Sequence, residues 1–246
     1  MDSPGYIILS HLGAQLRATQ VLANSLANTD TPGFRAERPI FAQYLQRQPG
    51  TLQAPGEPAV AYAIDRATWR DTASGPLQTT GNPLDVAIQG DGFFAVETAR
   101  GERFTRAGRF TLHPEGRITD MDGNAVLDTG GAPIAVSPND TRIEVLGDGT
   151  IRSENGPLGK LRVVRFEDPQ RLRAEGDRLY ASDDQALPVE RPAVVQGAVE
   201  GSNVRPVIEI TRMTAELREF QFAVQFAERE GERLQTSVER ILRRRS

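Results

Sequence analysis

The stretch Ala23–Phe34, ANSLANTDTPGF, decides how this chain is built, because it closes an apolar helix and then forbids its continuation. Upstream of it, apolar or small residues recur at Leu9, Leu12, Leu16, Thr19, Ala23 and Leu26, a three-four spacing that predicts one narrow seam along an α-helix. Asn28 suits a left-handed helix end. Pro32-Gly33 then supplies the fixed and the permissive φ of a tight turn.

The opposite end carries a longer seam with no break. Asn203 can cap a helix and Pro206 fits its first turn. Ile210, Met213, Leu217, Phe220, Val224, Ala227, Gly231, Leu234, Val238 and Ile241 follow in unbroken three-four spacing. At ~1.5 Å per residue a helix over 204–243 is about 60 Å long, whereas one over 5–28 is about 35 Å long. The shorter seam covers only part of the longer, and the rest needs another chain. Ordering backbone costs roughly 1–2 kcal/mol per residue while a buried aliphatic side chain returns roughly 1.5–3, so both ends are expected to be loose in the free chain and to order on assembly.

Between the two ends the period changes from helical to alternating. Leu84, Val86 and Ile88 alternate before Gly90-Asp91-Gly92, and Phe94 and Val96 follow it, which predicts a hairpin. Further short strands are punctuated by Pro114-Glu115-Gly116, Asp122-Gly123, Gly130-Gly131 and Gly147-Asp148-Gly149, then continue through Leu161–Phe166 to Leu179-Tyr180. The expected fold is α+β: discontinuous, coiled-coil-like N- and C-terminal helices with an inserted, mostly-β domain of sandwich or barrel type. The boundaries read as 1–33 for the first helix and its turn, 34–73 for an extended or irregular connector rich in Pro and Gly from Pro49 to Pro58, 74–200 for the β-domain and 201–246 for the last helix.

Composition removes several function classes. A net charge of −4 offers no basic face for nucleic acid, and the run Arg243-Arg244-Arg245 suits the end of a helix dipole. With no cysteine, no disulfide or thiolate chemistry is available. No Sec-type signal peptide is expected from the first residues, and no apolar run is long enough to span a membrane. The two histidines, His11 and His113, leave no histidine-based metal site. Asp120-x-Asp122-Gly123-Asn124 places its glycine too early for a calcium loop and lacks the distal glutamate, and Gly90-Asp91-Gly92 has no following helix to cradle a phosphate. No G-x-S-x-G elbow occurs. Trp69 fits an interface anchor or the β-domain edge. No catalytic, cofactor or metal residue is predicted.

Three motifs in order carry a family resemblance: Ser25-Leu-Ala-Asn28-Thr-Asp-Thr31-Pro32-Gly33-Phe34, Gly81 through Asp85 to Gly90-Asp-Gly92-Phe93-Phe94 with Phe104-Thr-Arg106-Ala-Gly108 after it, and Glu200-Gly-Ser202-Asn203-Val204. The chain resembles the axial proteins of the bacterial flagellum, and its length resembles the basal-body rod proteins, the proximal type before the distal, rather than the longer hook protein. The resemblance implies a structural subunit, not an enzyme, exported without a cleaved signal by the flagellar type III machinery. It implies partnership with other rod subunits and copies of itself in a periplasm-spanning rod needed for motility. The seam residues Leu9, Leu12, Leu16, Leu26, Ile210, Met213, Leu217, Phe220, Val224, Leu234, Val238 and Ile241 are then the expected assembly interface. The competing readings are a distal-rod or hook-like axial protein, and a non-flagellar cell-surface binding module on a coiled-coil stalk.

Overall fold

The structure, a computed structural model, describes residues 3–46 and 60–243. Helix α1 (Ser3–Ala27) is followed by two long strands, β1 (Glu37–Gln46) and β2 (Val60–Arg70), that pair with each other. Then come β3 (Leu77–Thr79), β4 (Val86–Gln89), β5 (Phe93–Thr98), β6 (Gly101–Thr105), β7 (Thr111–Leu112), β8 (Ile118–Thr119), β9 (Ala125–Val126), β10 (Ile143–Val145), β11 (Thr150–Ser153), β12 (Gly156–Lys160) and β13 (Val163–Arg165). After a short 3-10 turn at Pro169–Arg171 follow β14 (Arg173–Ala174), β15 (Leu179–Ala181), β16 (Leu187–Pro188), β17 (Ala193–Gln196) and β18 (Ala198–Glu200), and the chain closes with α2 (Pro206–Arg243). The fold is α+β, helical at both ends and mostly β between them, and among the described residues no sheet closes on itself.

The chain forms two compact units, each assembled from separate stretches of sequence. One contains residues 1–27, 37–69 and 205–246, where α1 packs on α2 and on β1. The other contains 28–36 and 70–204. The segment 34–73, expected as an extended or irregular connector, therefore carries a two-stranded ribbon, while Pro49–Pro58 lies outside the described residues.

In the second unit β5 is the organising strand, hydrogen-bonded to β6, β9 and β13. Its side chains alternate between two cores, as a strand with both faces covered must. Phe94 and Val96 enter a core with Val86, Ile88, Phe110, Ile118 and Leu161, and Phe93 and Ala95 enter another with Phe104, Phe166, Leu172 and Tyr180. Edge-on ring contacts order both: Phe94 lies 5.2 Å from Phe110, and Phe104 lies 4.9 Å from Phe166.

Three of the expected turns join paired strands. Pro114–Gly116 connects β7 to β8, Asp122-Gly123 connects β8 to β9, and Gly147–Gly149 connects β10 to β11. The expected hairpin across Gly90–Gly92 does not form. All four residues of β4 pair with β17, more than a hundred residues further on, and β5 pairs elsewhere. The loop between them instead turns its carbonyl oxygens onto a buried arginine, described below.

Both helix ends also differ from expectation. Asn28 is not left-handed: it opens a turn in which its carbonyl accepts from the Thr31 amide at 3.2 Å, and Gly33 alone there adopts positive φ, at 70°. Pro206 is indeed the first residue of α2, yet Asn203 does not cap it, because its side chain is held by other segments of the chain.

Candidate assembly interface

Within the first unit the structure separates the seam residues into exposed and half-buried groups. On α1, Leu9 is 65% exposed and Leu16 56%, while Leu12 and Leu26 are half-buried. The buried side is a different one, made of Ala14, Gln15, Ala18, Val21 and Ser25. Ala14, Ala18 and Ser25 on this side are small, and small side chains let helices approach closely. On α2, Met213, Phe220 and Val224 are half-buried whereas Ile210 and Leu217 are exposed. The side chains of Leu234, Val238 and Ile241 lie outside those described.

Two polar groups interrupt the buried side of α1. Both amide atoms of Gln15 and the Ser25 hydroxyl are buried without a hydrogen-bond partner. Beside α1, burial and then the neighbouring Glu219 raise the Glu216 carboxyl above its usual range, with His11 opposing the shift.

In the second unit the three motifs converge on one charge cluster. Arg106, 2% exposed, directs Nε to the Glu200 carboxylate and its other nitrogens to the carbonyl oxygens of Ile88 (3.0 Å), Gly90 (2.6 Å) and Gly92. This explains the Gly-Asp-Gly loop as a collar around a guanidinium. Arg35 approaches the same carboxylate at 3.7 Å, donates to the Thr72 carbonyl and lies 6.0 Å from the centre of the Phe93 ring. Two cations thus share one buried anion. Burial, then the Arg106 charge, hold the Arg35 guanidinium below its usual range, while Glu200 pulls it back up.

The backbone closes around this cluster. The Gly33 amide donates to the Glu200 carbonyl at 2.8 Å, and the Gly75 amide donates to the Glu200 carboxylate at 3.1 Å. Asn203 accepts from the Ala36 amide at 2.7 Å and donates to the carbonyls of Asp71 (3.0 Å) and Ala73 (2.9 Å). Gly108 is obligatory, since a Cβ there would lie 1.6 Å from the Val86 carbonyl oxygen. Ser202 accepts from the Val204 amide, Phe93, Phe94 and Val204 are buried, and the buried carboxylate of Asp85 is held by Asn82. Gly81 has φ 76° and donates its amide to the Gly197 carbonyl. Apart from Ser25 on α1, the motif residues described here belong to the second unit.

Among the described residues the polar clusters have the form of turns and ion pairs. Asp120 satisfies its carboxylate with the amides of Asp122 and Asn124 and the Asn124 side chain, as a turn does. His113 is exposed in a turn, accepting from the Glu115 amide. Among the described residues no group of acidic or histidine side chains could hold a metal, and no helix is long and apolar enough to cross a membrane. An open groove of about 490 Å³ beside Pro83, Ile143 and Gln196 is bridged by the Gln196 amide, which donates to the carbonyls of Pro83 and Ile143.

Comparison with known proteins identifies the class. Residues 87–153 match the model of the flagellar hook protein FlgE/F/G D1 domain, and residues 195–240 match that of the flagellar basal body rod FlgEFG protein C-terminal region. The chain belongs to the flagellar basal-body rod protein family and is FlgF-like. It is 34% identical to the flagellar basal-body rod protein FlgF of Caulobacter vibrioides over 98% of each chain, and 33% identical to FlgF of Salmonella typhimurium over 90% of this chain and 91% of that one. Similarity to FlgG of Agrobacterium fabrum is lower, at 30% over 87% and 90%. The protein is a structural subunit of the flagellar basal-body rod rather than an enzyme or a non-flagellar binding module.

Arg106 and Glu200 lie within the motifs and Arg35 directly follows the first of them, without a local pattern that assigns any of the three a role. A charged residue set among small and apolar motif positions was the available signal. Nothing in one sequence joins residues separated by 94 and 165 positions.

Proposed function

We propose that the subunit polymerises through α1 and α2, which pair in coiled-coil fashion with helices of its own copies and of other rod subunits, as part of the axial tube that crosses the periplasm. In this reading the terminal segments 1–33 and 201–246 form the axial core and the inserted domain, 74–200, makes lateral contacts. Delivery is by the flagellar type III machinery without a cleaved signal. The rod position is proximal, which the lower similarity to FlgG supports over a distal one.

The observation that carries this reading is the apolar surface left on both helices, Leu9 and Leu16 on α1 with Ile210 and Leu217 on α2, in a chain of the rod family. Non-closing contacts between such faces generate a helical polymer instead of a closed ring. The test is the double variant Leu217→Glu, Phe220→Glu, scored for motility and for rods in isolated basal bodies. Loss of rods with an intact β-unit is expected. Normal rods would reject the seam.

A further inference from the structure

Two exposed stripes on the first unit match each other in length and spacing. On α2, Ile208, Ala215 and Phe222 are exposed and recur every seventh residue, with Phe226 one turn beyond; Phe222 is 69% exposed. At about 100° per residue this stripe lies roughly 140° around the helix from the half-buried side centred on Phe220. The seam read from the sequence, Ile210 to Ile241, does not include it.

On α1, Leu9, Leu16 and Ala23 are exposed and also recur every seventh residue, roughly 170° around from the buried Ala14, Ala18, Val21 and Ser25. Both stripes span about 21 Å from first to third residue at ~1.5 Å per residue. Each looks away from the side on which its helix is covered, so the two cannot meet within one chain. Helix α1 has one charged residue, Arg17, over Ser3–Ala27. A helix so nearly without charge is suited to being covered on more than one side. Its outer side sets no lysine or aspartate against Arg218, Glu219 and Arg229, which flank the aromatic stripe of α2.

We propose that the Ile208–Ala215–Phe222 stripe of α2 docks on the Leu9–Leu16–Ala23 stripe of α1 in the next copy of this chain. This deepens, and rests on, the reading of the terminal helices as the polymerising part. The contact is heterologous, joining two different surfaces, so it propagates instead of stopping at a dimer. Whether the two helices run parallel or antiparallel, the central residues Leu16 and Ala215 face each other. Parallel alignment also sets Phe222 over Ala23 and Ile208 beside Leu9, an alternation of sizes that fills space.

Because the chain has no cysteine, the contact can be read by disulfide formation. Two differently tagged copies, one Leu16→Cys and the other Ala215→Cys, are co-expressed, and isolated basal bodies are oxidised. The expected product is a mixed dimer carrying both tags. Rods that form without it, bonds between two Ala215→Cys copies, or a bond within a chain carrying both cysteines would each overturn this pairing while leaving polymerisation through the terminal helices standing. Charge exchange gives a second readout should a cysteine itself block rods. Leu16→Glu alone should abolish them, and Ala215→Lys in the same chain should restore them. Failure of that rescue, with the chain folded, overturns the proposal.

Discussion

Replacing Glu200 by glutamine tests the buried cluster with almost no change of shape. The carboxylate sits between two guanidiniums, its side chain is 2% exposed, and it holds Arg106, Arg35 and the Gly75 amide at once. Glutamine can keep the bond from Gly75, yet it removes the carboxylate that pairs both buried cations. Breaking one partner of a buried pair costs about 3–5 kcal/mol, a large share of the roughly 5–15 kcal/mol that hold a domain folded. With a urea dependence of about 2–3 kcal/mol per molar, the midpoint should fall by about 1–2.5 M. The assay is urea unfolding followed by near-ultraviolet circular dichroism, to which Tyr180 in the second core contributes, with hydrogen exchange at Ile88 and Phe94 alongside. Arg35→Met should cost less than half as much, because it removes a charge that Arg106 repels and leaves the better-bonded arginine paired. A Glu200→Gln midpoint within about 0.5 M of the parent at unchanged slope, or the reverse order of the two variants, would refute the reasoning.

Gly33→Ala should destabilise the second unit by several kcal/mol, measured by the same urea titration. Its φ is 70°, and an added Cβ would lie 2.5 Å from the Arg106 carbonyl carbon and 2.6 Å from the Ala107 nitrogen. Gln15→Met should stabilise the helical unit by about 1–3 kcal/mol, seen as slower amide exchange along α1, because it removes a buried amide that has no partner. The amides of Thr141 and Arg142, with the Thr141 hydroxyl, hold the Glu154 carboxyl down to about 2 against an ordinary 4.5. A depressed carboxyl stabilises fully above its unfolded value and loses that contribution as pH falls through the folded one. Exchange protection of those two amides, corrected for intrinsic rates, should therefore be constant above pH 4.5 and decline towards pH 2, and Glu154→Gln should flatten the profile.

The sequence revealed the elements governed by local chemistry and concealed those governed by distant pairing. A three-four repeat reports a helix wherever it occurs, so both helices were legible, and so were the hairpins around Pro114–Gly116, Asp122-Gly123 and Gly147–Gly149, where the turn itself chooses the partner. At Gly90–Gly92 the turn chemistry was present, but four backbone pairings with Ala193–Gln196 and the three carbonyls gathered by Arg106 outweighed it. Asn203 looked like a helix cap for the same reason: its side chain suits that role, and only the fold shows Ala36, Asp71 and Ala73 bonded to it instead. The seam on α1 was legible as apolar spacing. Its covered side was not, because Ala14, Ala18 and Ser25 are small and give no hydropathy signal.

The two units are held together in different ways, and this bears on how the subunit works. In the second, both faces of β5 are buried, Gly33 and Gly108 admit no extra atom, and every guanidinium nitrogen of Arg106 has an acceptor. Such a unit loses much from a single altered atom. In the first, large apolar side chains remain exposed on both helices while two polar groups of α1 are buried without partners. A surface of that kind is poorly suited to an isolated molecule and well suited to one covered by neighbours. In the proposed reading, free energy for polymerisation resides in the helical unit. Substitutions in the Arg35–Arg106–Glu200 cluster should lower the amount of folded subunit, whereas substitutions on the outer stripes of α1 and α2 should leave folded subunit abundant and rods absent.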